Sequence, residues 1–307
     1  MTIDADTSDA GAAAGGVPAG GRARTGRAAR SRSPLAALPL LAFVALAFGI
    51  PAVALLLGAF TVTDPRTGVS ALGTANLTES LRGNYLATLL GSVRLSAVVA
   101  VLGAVLGAFL AQAVVTSSSR ALRESVLSAS GVLANFGGVP LAFLWVATLG
   151  NSGVVTSALG LGEAGWSLYG FWGLALVYMY FSVPLMVLVL VPALEGLKTQ
   201  WREAASNSGA TAWQYWRLVG VPVLAPSLLG GVVLLFGGAF AAYATAAAMT
   251  GSTVPLVTLQ IADALTGDVL VGHENIALAL SLDMIVVAGL VMAVYLPLQR
   301  RSTRWLR

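Results

Sequence analysis

The sequence predicts an all-α membrane protein with six transmembrane helices, and composition and segment length carry that prediction. Hydrophobic residues make up 57% of the 307-residue chain and charged residues only 10%, whereas about a quarter of a soluble domain is charged. Six apolar segments each reach the ~20 residues that a helix needs to cross ~30 Å of hydrocarbon. Because no water bonds the backbone in that layer, each crossing has to be helical.

These segments divide the chain. They span about 35–60, 86–115, 125–149, 169–193, 224–249 and 276–298. Gly103 and Gly107 lie four residues apart on the second segment, a spacing that favours ordinary close packing of helices. We expect a disordered basic tail at 1–33, the first membrane helix with its outer loop at 34–80, a membrane core at 81–300 that includes the loop 194–223, and a basic tail at 301–307.

The basic residues predict the orientation in the membrane. They concentrate in both termini and in the loops that hold Arg120 and Arg217, whereas Arg66 and Arg82 fall in loops on the other side. Since positive loops stay cytoplasmic, we expect both termini and the loop 194–223 inside. The chain is then a multi-pass protein of a bacterial-type cell membrane, with outer loops at 61–84, 150–168 and 250–275.

Composition also excludes several kinds of site. Cysteine is absent and His273 is the only histidine, which excludes thiolate and histidine-cluster metal sites and most histidine-based catalysis. The chain has no G-x-x-x-x-G-K-[ST] loop and therefore no phosphate cradle of that kind. The basic residues do not gather on one face, so nucleic acid is not an expected partner. We predict no catalytic residue, metal or cofactor in this chain.

A polar loop interrupts the apolar sequence between the fourth and fifth segments. It reads E-A-A-S-N-S-G from Glu203 to Gly209 and continues to V-G-V-P, which ends at Pro222. The alanines favour a short helix, and Gly209 permits a sharp change of direction. We predict a second short helix at 212–218, with Pro222 just before the fifth membrane helix. The residues that define the pattern are Glu203, Ala204, Ala205, Gly209 and Pro222.

This pattern resembles the EAA loop of type I ABC importer permeases, the membrane components of binding-protein-dependent transport systems. The resemblance covers about residues 80–300; Val219 and Val221 stand where the family usually has Ile and Leu. It implies that the loop is a cytoplasmic coupling helix, which inserts into an ATPase subunit. ATP and Mg would then be bound by a partner ATPase dimer, and the chain would be a transport subunit rather than an enzyme.

The resemblance implies further partners and a range of solutes. A second permease chain, homologous or identical, would complete the channel in the lipid bilayer, and an extracytoplasmic binding protein would deliver a small polar solute. The stretch N-F-G-G-V-P-L-A-F, which starts at Asn135, is similar to the branch that handles polyamines, iron, thiamine, sulfate or aminophosphonates. A sugar permease is the alternative, although that group often differs in this part of the third helix.

Polar groups inside the segments suggest a pathway. In N-F-G-G-V-P, the residues Gly137, Gly138 and Pro140 are able to break the third helix beside a cavity, or to form a packing kink. The candidate pathway residues are Asn135, Tyr178, Tyr180, Ser182 and Tyr243.

Two charges lie inside apolar segments. Arg94 and Asp283 have similar predicted depths, about 12–15 Å from the outer face at 1.5 Å per residue. Because such charges are costly in a membrane, we predict that they form a buried salt bridge. In the alternative, one of them contacts a charged substrate.

Two other functions compete with the importer permease. An ion-coupled secondary transporter predicts internal repeats and several membrane carboxylates, but Asp283 is the one membrane carboxylate and no repeat is evident. An intramembrane enzyme would need a catalytic set at membrane depth, which the lone His273 does not supply.

Overall fold

The computed structural model describes residues 38–303 apart from 65, 66, 68, 252 and 267–272. The chain divides after Phe48 into two compact units. The first is described from Leu38 and is helical. The predicted tail at 1–33 and the end of the predicted tail at 301–307 lie outside the described residues, and the domain boundaries drawn from the sequence remain predictions.

Six helical spans among the described residues are long and apolar enough to cross a membrane, which confirms the predicted number. They are Leu38–Ala59, Gly83–Thr116, Gly138–Leu159, Phe171–Glu195, Ala212–Ala241 and Glu274–Arg301.

The first span begins with α1, Leu38–Val44, and runs through a π-helical segment, Ala45–Gly49, into α2, Ile50–Ala59. The other helices are α3 Ala75–Ser80, α4 Gly83–Thr116, α5 Arg120–Leu133, α6 Gly138–Leu149, α7 Val154–Leu159, α8 Phe171–Glu195, α9 Thr199–Asn207, α10 Ala212–Tyr215, α11 Val221–Ala241, α12 Ala244–Met249, α13 Val257–Thr266 and α14 His273–Thr303. A second π-helical segment, Trp216–Gly220, lies between α10 and α11.

The predicted outer loops contain secondary structure that the sequence did not reveal. In the first, β1, Thr61–Thr63, pairs antiparallel with β2, Ser70–Leu72. The Asn76 Nδ2 donates a hydrogen bond of 2.7 Å to Thr61 O, so this hairpin is tied to α3. The helices α7 and α13 occupy the other two predicted outer loops.

The core forms where α4 packs along α8 and α11. Gly103 and Gly107 make this approach possible, because a Cβ at Gly103 would crowd Ser182 and one at Gly107 would crowd Met186. The predicted role of this glycine pair in close packing is therefore confirmed.

Two crossings predicted as single helices are broken. The third predicted segment, 125–149, divides between α5 and α6, where Gly137 is extended and Gly138 has a φ of +76°. The fifth, 224–249, divides between α11 and α12, where Ala242 is extended. Of the two alternatives left open at N-F-G-G-V-P, a break and a packing kink, the structure shows the break. The prediction of a continuous fifth helix is wrong.

Candidate coupling loop and translocation pathway

The E-A-A-S-N-S-G stretch forms the end of α9 and a left-handed glycine cap. The amide of Ala210 donates to Ala205 O at 3.0 Å, and the amide of Gly209 donates to Ser206 O at 2.9 Å. Gly209 has a φ of +76°, a left-handed conformation that glycine adopts most readily. These two bonds are those of a Schellman motif, which terminates a helix and turns the chain. The predicted turn at Gly209 is confirmed.

The chain re-enters a helix through a capping box. The backbone N–H of Gln214 donates to Thr211 Oγ1 at 3.3 Å, and the backbone N–H of Thr211 donates to the side-chain Oε1 of Gln214 at 2.7 Å. Each side chain thus satisfies a backbone donor of the first turn. The turn between α9 and α10 is therefore fixed at both ends by hydrogen bonds within the loop.

The second helix of the loop does not end before α11 begins. α10 runs through the π segment Trp216–Gly220 into α11, so the predicted separate helix at 212–218 is wrong. Pro222 lies inside this helical run. Because proline has no backbone N–H, it makes no hydrogen bond to Leu218 O, four residues earlier. The Val221 amide bonds to Trp216 O, five residues back, and the wider turn carries the helix past the proline.

The side chains of this loop are exposed in the isolated chain. Glu203 and Ala204 are exposed and Ala205 is half-buried. Trp213 is 72% exposed and Leu218 is 70% exposed. Within the described part of the chain Glu203 has no ion-pair or hydrogen-bonding partner. The loop therefore presents a carboxylate and apolar side chains without an internal partner.

An ion pair connects this region with α5. Arg123 of α5 contacts Glu195, the last residue of α8, and both side chains are partly exposed. Because Glu195 precedes α9 by only a few residues, the pair joins α5 to the root of the loop. Exposed pairs contribute about 0–1 kcal/mol, so this contact adds little to the stability of the fold.

The two helix breaks meet at a cavity of about 260 Å³. Thr245 of α12 bridges them, since its Oγ1 accepts from the Gly138 amide at 2.9 Å and lies 3.2 Å from Gly138 O, to which it is able to donate. Asn135 and Tyr243 line the cavity, and both are exposed. Broken helices at membrane depth occur where the backbone lines a cavity, so these two pathway candidates have the expected surroundings.

The remaining three pathway candidates face the packed core. Tyr178 is fully buried and its Oη donates to Ala242 O at 3.1 Å. Ser182 is fully buried against Gly103. Tyr180 packs edge-on against Phe136 and Trp145. Tyr178 and Ser182 thus lie inside the core of the isolated chain and line no described cavity, and their place in a pathway stays a prediction.

Arg94 and Asp283 do not form the predicted salt bridge. The Arg94 guanidinium lies 4.9 Å from the centre of the Phe171 ring. Asp283 is buried beside Ser80, and its Oδ2 has no hydrogen-bond partner among the described residues. Arg94 and Asp283 have similar predicted depths, but their side chains do not point toward each other. The ion-pair prediction is therefore wrong.

Sequence reasoning missed several residues that shape these sites. Thr245 bonds to Gly138, 107 positions earlier in the chain, and a contact at that separation leaves no local signal in the sequence. Gly220 is required because a Cβ there would overlap the Trp216 ring. The S/T-x-x-Q pattern of Thr211 and Gln214 is a local signal that would have identified the capping box.

The chain is similar in sequence to curated permease proteins, although no protein-family model matches it. It is 31% identical over 149 residues to the thiamine transport system permease protein ThiP of Escherichia coli (strain K12), which covers 48% of this chain and 26% of that protein. It is 40% identical over 68 residues to the sulfate transport system permease protein CysT of the same organism, which covers 22% of this chain and 24% of that protein. The match thus spans about a quarter of the length of these relatives.

The fold matches solved structures over most of its length. A bacterial ABC transporter involved in the import of the acidic polysaccharide alginate aligns with a TM-score of 0.66 and 18% identity, over 88% of this chain and 94% of that chain. The alginate transporter in complex with its pentasaccharide-bound periplasmic protein aligns with a TM-score of 0.67 and 19% identity, over the same shares.

Fold and relatives agree on one class of protein. The chain has the helical architecture of an ABC importer permease, with six candidate membrane spans among its described residues. Its curated relatives are permease components of ABC importers. The resemblance that the EAA pattern predicted is confirmed.

Proposed function

We propose that this chain is the transmembrane permease subunit of an ATP-driven ABC importer and translocates a small polar solute delivered by an extracytoplasmic binding protein. The chain itself is a transport component and not an enzyme. ATP and Mg are bound by a separate ATPase dimer, and a second permease chain, homologous or identical, completes the pathway through a bacterial-type cell membrane.

The exposed loop between the fourth and fifth crossings carries this proposal. It is a helix, a glycine turn and a second helix that continues directly into α11. Trp213 and Glu203 are exposed on it. An element that is ordered by its own hydrogen bonds and continuous with a membrane helix is suited to transmit the movement of a bound subunit to that helix.

The solute belongs to the classes that the relatives' names suggest. Thiamine and sulfate are named for the two permeases described above, and a periplasmic binding protein accompanies the structurally similar alginate transporter. Polyamine, iron and aminophosphonate complete the range that the resemblance implies. An ion-coupled secondary transporter finds no support among these relatives.

Co-purification with the ATPase subunits of the same cell tests the proposal. We expect wild type to retain an ATPase partner, and Glu203→Ala and Gly209→Val to lose it. Glu203→Ala removes the exposed carboxylate, and Gly209→Val places a β-branched residue at a φ of +76°, where such residues are strained.

Matched variants separate docking from folding. Gly209→Asn should retain the partner, because asparagine tolerates a left-handed conformation. Glu163→Ala removes another exposed carboxylate, in the segment between α7 and α8, and should have no effect. Normal ATPase retention by both Glu203→Ala and Gly209→Val would contradict the proposal.

A further inference from the structure

Arg94 is a charged residue inside a membrane span, and it has no counter-charge among the described residues. It lies 11 residues after Gly83, the first residue of α4, or about 16 Å along the helix at 1.5 Å per residue. Neither an ion pair nor a hydrogen bond connects its guanidinium with any residue that the structure describes. Intramembrane charges face a water-filled cavity or a partner and mark pathways for ions and substrates.

The exposed face of α4 shows where Arg94 points. Arg94, Ala97 and Val101 are all exposed, and positions three and four apart on a helix share one face. A guanidinium on this face is too costly to leave in lipid. The face around Arg94 therefore borders water, a solute or another chain when the protein is in its membrane.

A cavity of about 280 Å³ opens beside Arg94. Phe171 holds the guanidinium by a cation–π contact of 4.9 Å, and Trp172 meets Phe171 edge-on at 5.4 Å. Such a contact leaves the N–H donors of the guanidinium available in the plane of the group. The cavity is lined by Gly91, Arg94, Phe171, Trp172, Thr253, Val254 and Pro255.

The opposite wall of this cavity is non-helical backbone fixed to α4. The Ser92 Oγ accepts from the Val257 amide at 2.8 Å, and Gly91 leaves room for Pro255 O. Thr253 Oγ1 lies 3.0 Å from Tyr169 O and 2.7 Å from Thr250 O, as a donor to these carbonyls. Hydrogen bonds therefore tie this wall to α4 and to Tyr169. None of the lining residues is a carboxylate, so Arg94 makes the electrostatic potential of the cavity positive.

We infer that the Arg94 cavity binds the anionic group of the transported solute, a carboxylate, sulfate or phosphate-type oxyanion. Two parallel N–H donors of a guanidinium match the geometry of such groups. This inference rests on the proposed function, since it names the substrate class of that pathway. An anionic lipid headgroup carries the same chemistry, and the test distinguishes it from a soluble anion.

The absence of cysteine in the natural chain allows a direct test. A single cysteine is introduced as Thr253→Cys, at an exposed residue that lines the cavity. The purified full chain is placed in phosphatidylcholine nanodiscs, and its reaction rates with an anionic and a cationic methanethiosulfonate reagent are compared. Ser157→Cys, at an exposed position on α7, supplies the ratio of the two rates outside the cavity.

We expect the cavity cysteine to favour the anionic reagent by roughly tenfold over the control, because a nearby unit charge in a partly buried site acts at an effective dielectric near 20. Sodium sulfate should slow this reaction relative to sodium chloride of equal ionic strength. Arg94→Gln should remove both effects, and Arg94→Lys should retain the charge preference.

Three outcomes would overturn the inference. An unchanged charge preference in Arg94→Gln shows that Arg94 does not set the field in the cavity. Failure of sulfate to protect the cysteine shows that the cavity does not bind a free oxyanion. If phosphatidylglycerol in the nanodisc slows the reaction of the cysteine but sulfate does not slow it in phosphatidylcholine nanodiscs, the cavity binds a lipid headgroup rather than a soluble anion. Because the ATPase is absent from this assay, none of these results bears on ATPase docking, and loss of docking leaves this assay unaffected.

Discussion

Gly220 shows how the size of one residue shapes the entry to the fifth crossing. A Cβ at this position would overlap the ring of Trp216, which is half-buried. The same G-hydrophobic-P order occurs at Gly49 and Pro51, where the other π segment ends. The helix distortion near each proline is predictable, because it follows from local chemistry. The fit of Gly220 against the Trp216 ring is not predictable, because it depends on the rotamer of Trp216.

Gly220→Ala should therefore destabilise the chain, because the added methyl group displaces Trp216. Overpacking of this kind costs about 1–3 kcal/mol. Thermal unfolding of the detergent-purified chain, followed by tryptophan fluorescence, measures the loss. Gly237→Ala is the matched control on α11, because its Cβ would meet nothing within 4 Å, and equal stability of the two variants would refute the packing role.

Thr245 joins the two helix breaks through one hydroxyl group. Thr245→Val keeps the shape of the side chain but leaves the Gly138 amide without its 2.9 Å acceptor. A fully buried unpaired donor costs about 1–3 kcal/mol; Gly138 is half-buried, so we expect a loss at the lower end of that range and a fall in the unfolding temperature. Thr245→Ser keeps the hydroxyl and should lie close to wild type; a loss as large as that of the valine variant would show that the methyl group, not the hydrogen bond, matters.

At the scale of elements, the two helix breaks differ in how far the sequence reveals them. The break before α6 contains two glycines and a proline, which disfavour a continuous helix by local chemistry. The break at Ala242 has no such residue. Its carbonyl instead accepts from Tyr178 Oη at 3.1 Å and from Thr258 Oγ1 at 3.4 Å, and these donors come from helices that only the fold brings together.

The same reasoning explains which site residues were predicted. Gly209 was predictable because a positive φ is a property of one residue and its neighbours. Arg94 and Asp283 were recognised as unusual, but their pairing depended on the rotation of α4 and α14 about their axes. Helical depth follows from counting residues, whereas rotation is set by packing.

At the scale of the whole molecule, the orientation in the membrane remains a prediction from the distribution of basic residues. The cysteine-free chain permits single-cysteine labelling in intact cells with a membrane-impermeant maleimide. We expect Ser157→Cys, on α7, to react, and Ser206→Cys, on α9, to react only after permeabilisation. Both positions are exposed, so differences in burial do not explain the contrast. Labelling of Ser206→Cys in intact cells would show that the loop lies outside the cytoplasm and would contradict the predicted orientation.

The hydrogen bonds inside the loop have a consequence for assembly. The glycine cap and the capping box hold Glu203 and Trp213 in place before any partner arrives. A segment that is already ordered loses little conformational entropy when it docks. An ATPase docked here, as proposed above, would therefore need little ordering of the loop, and its movement would reach α11 through the continuous helix that follows Gly209.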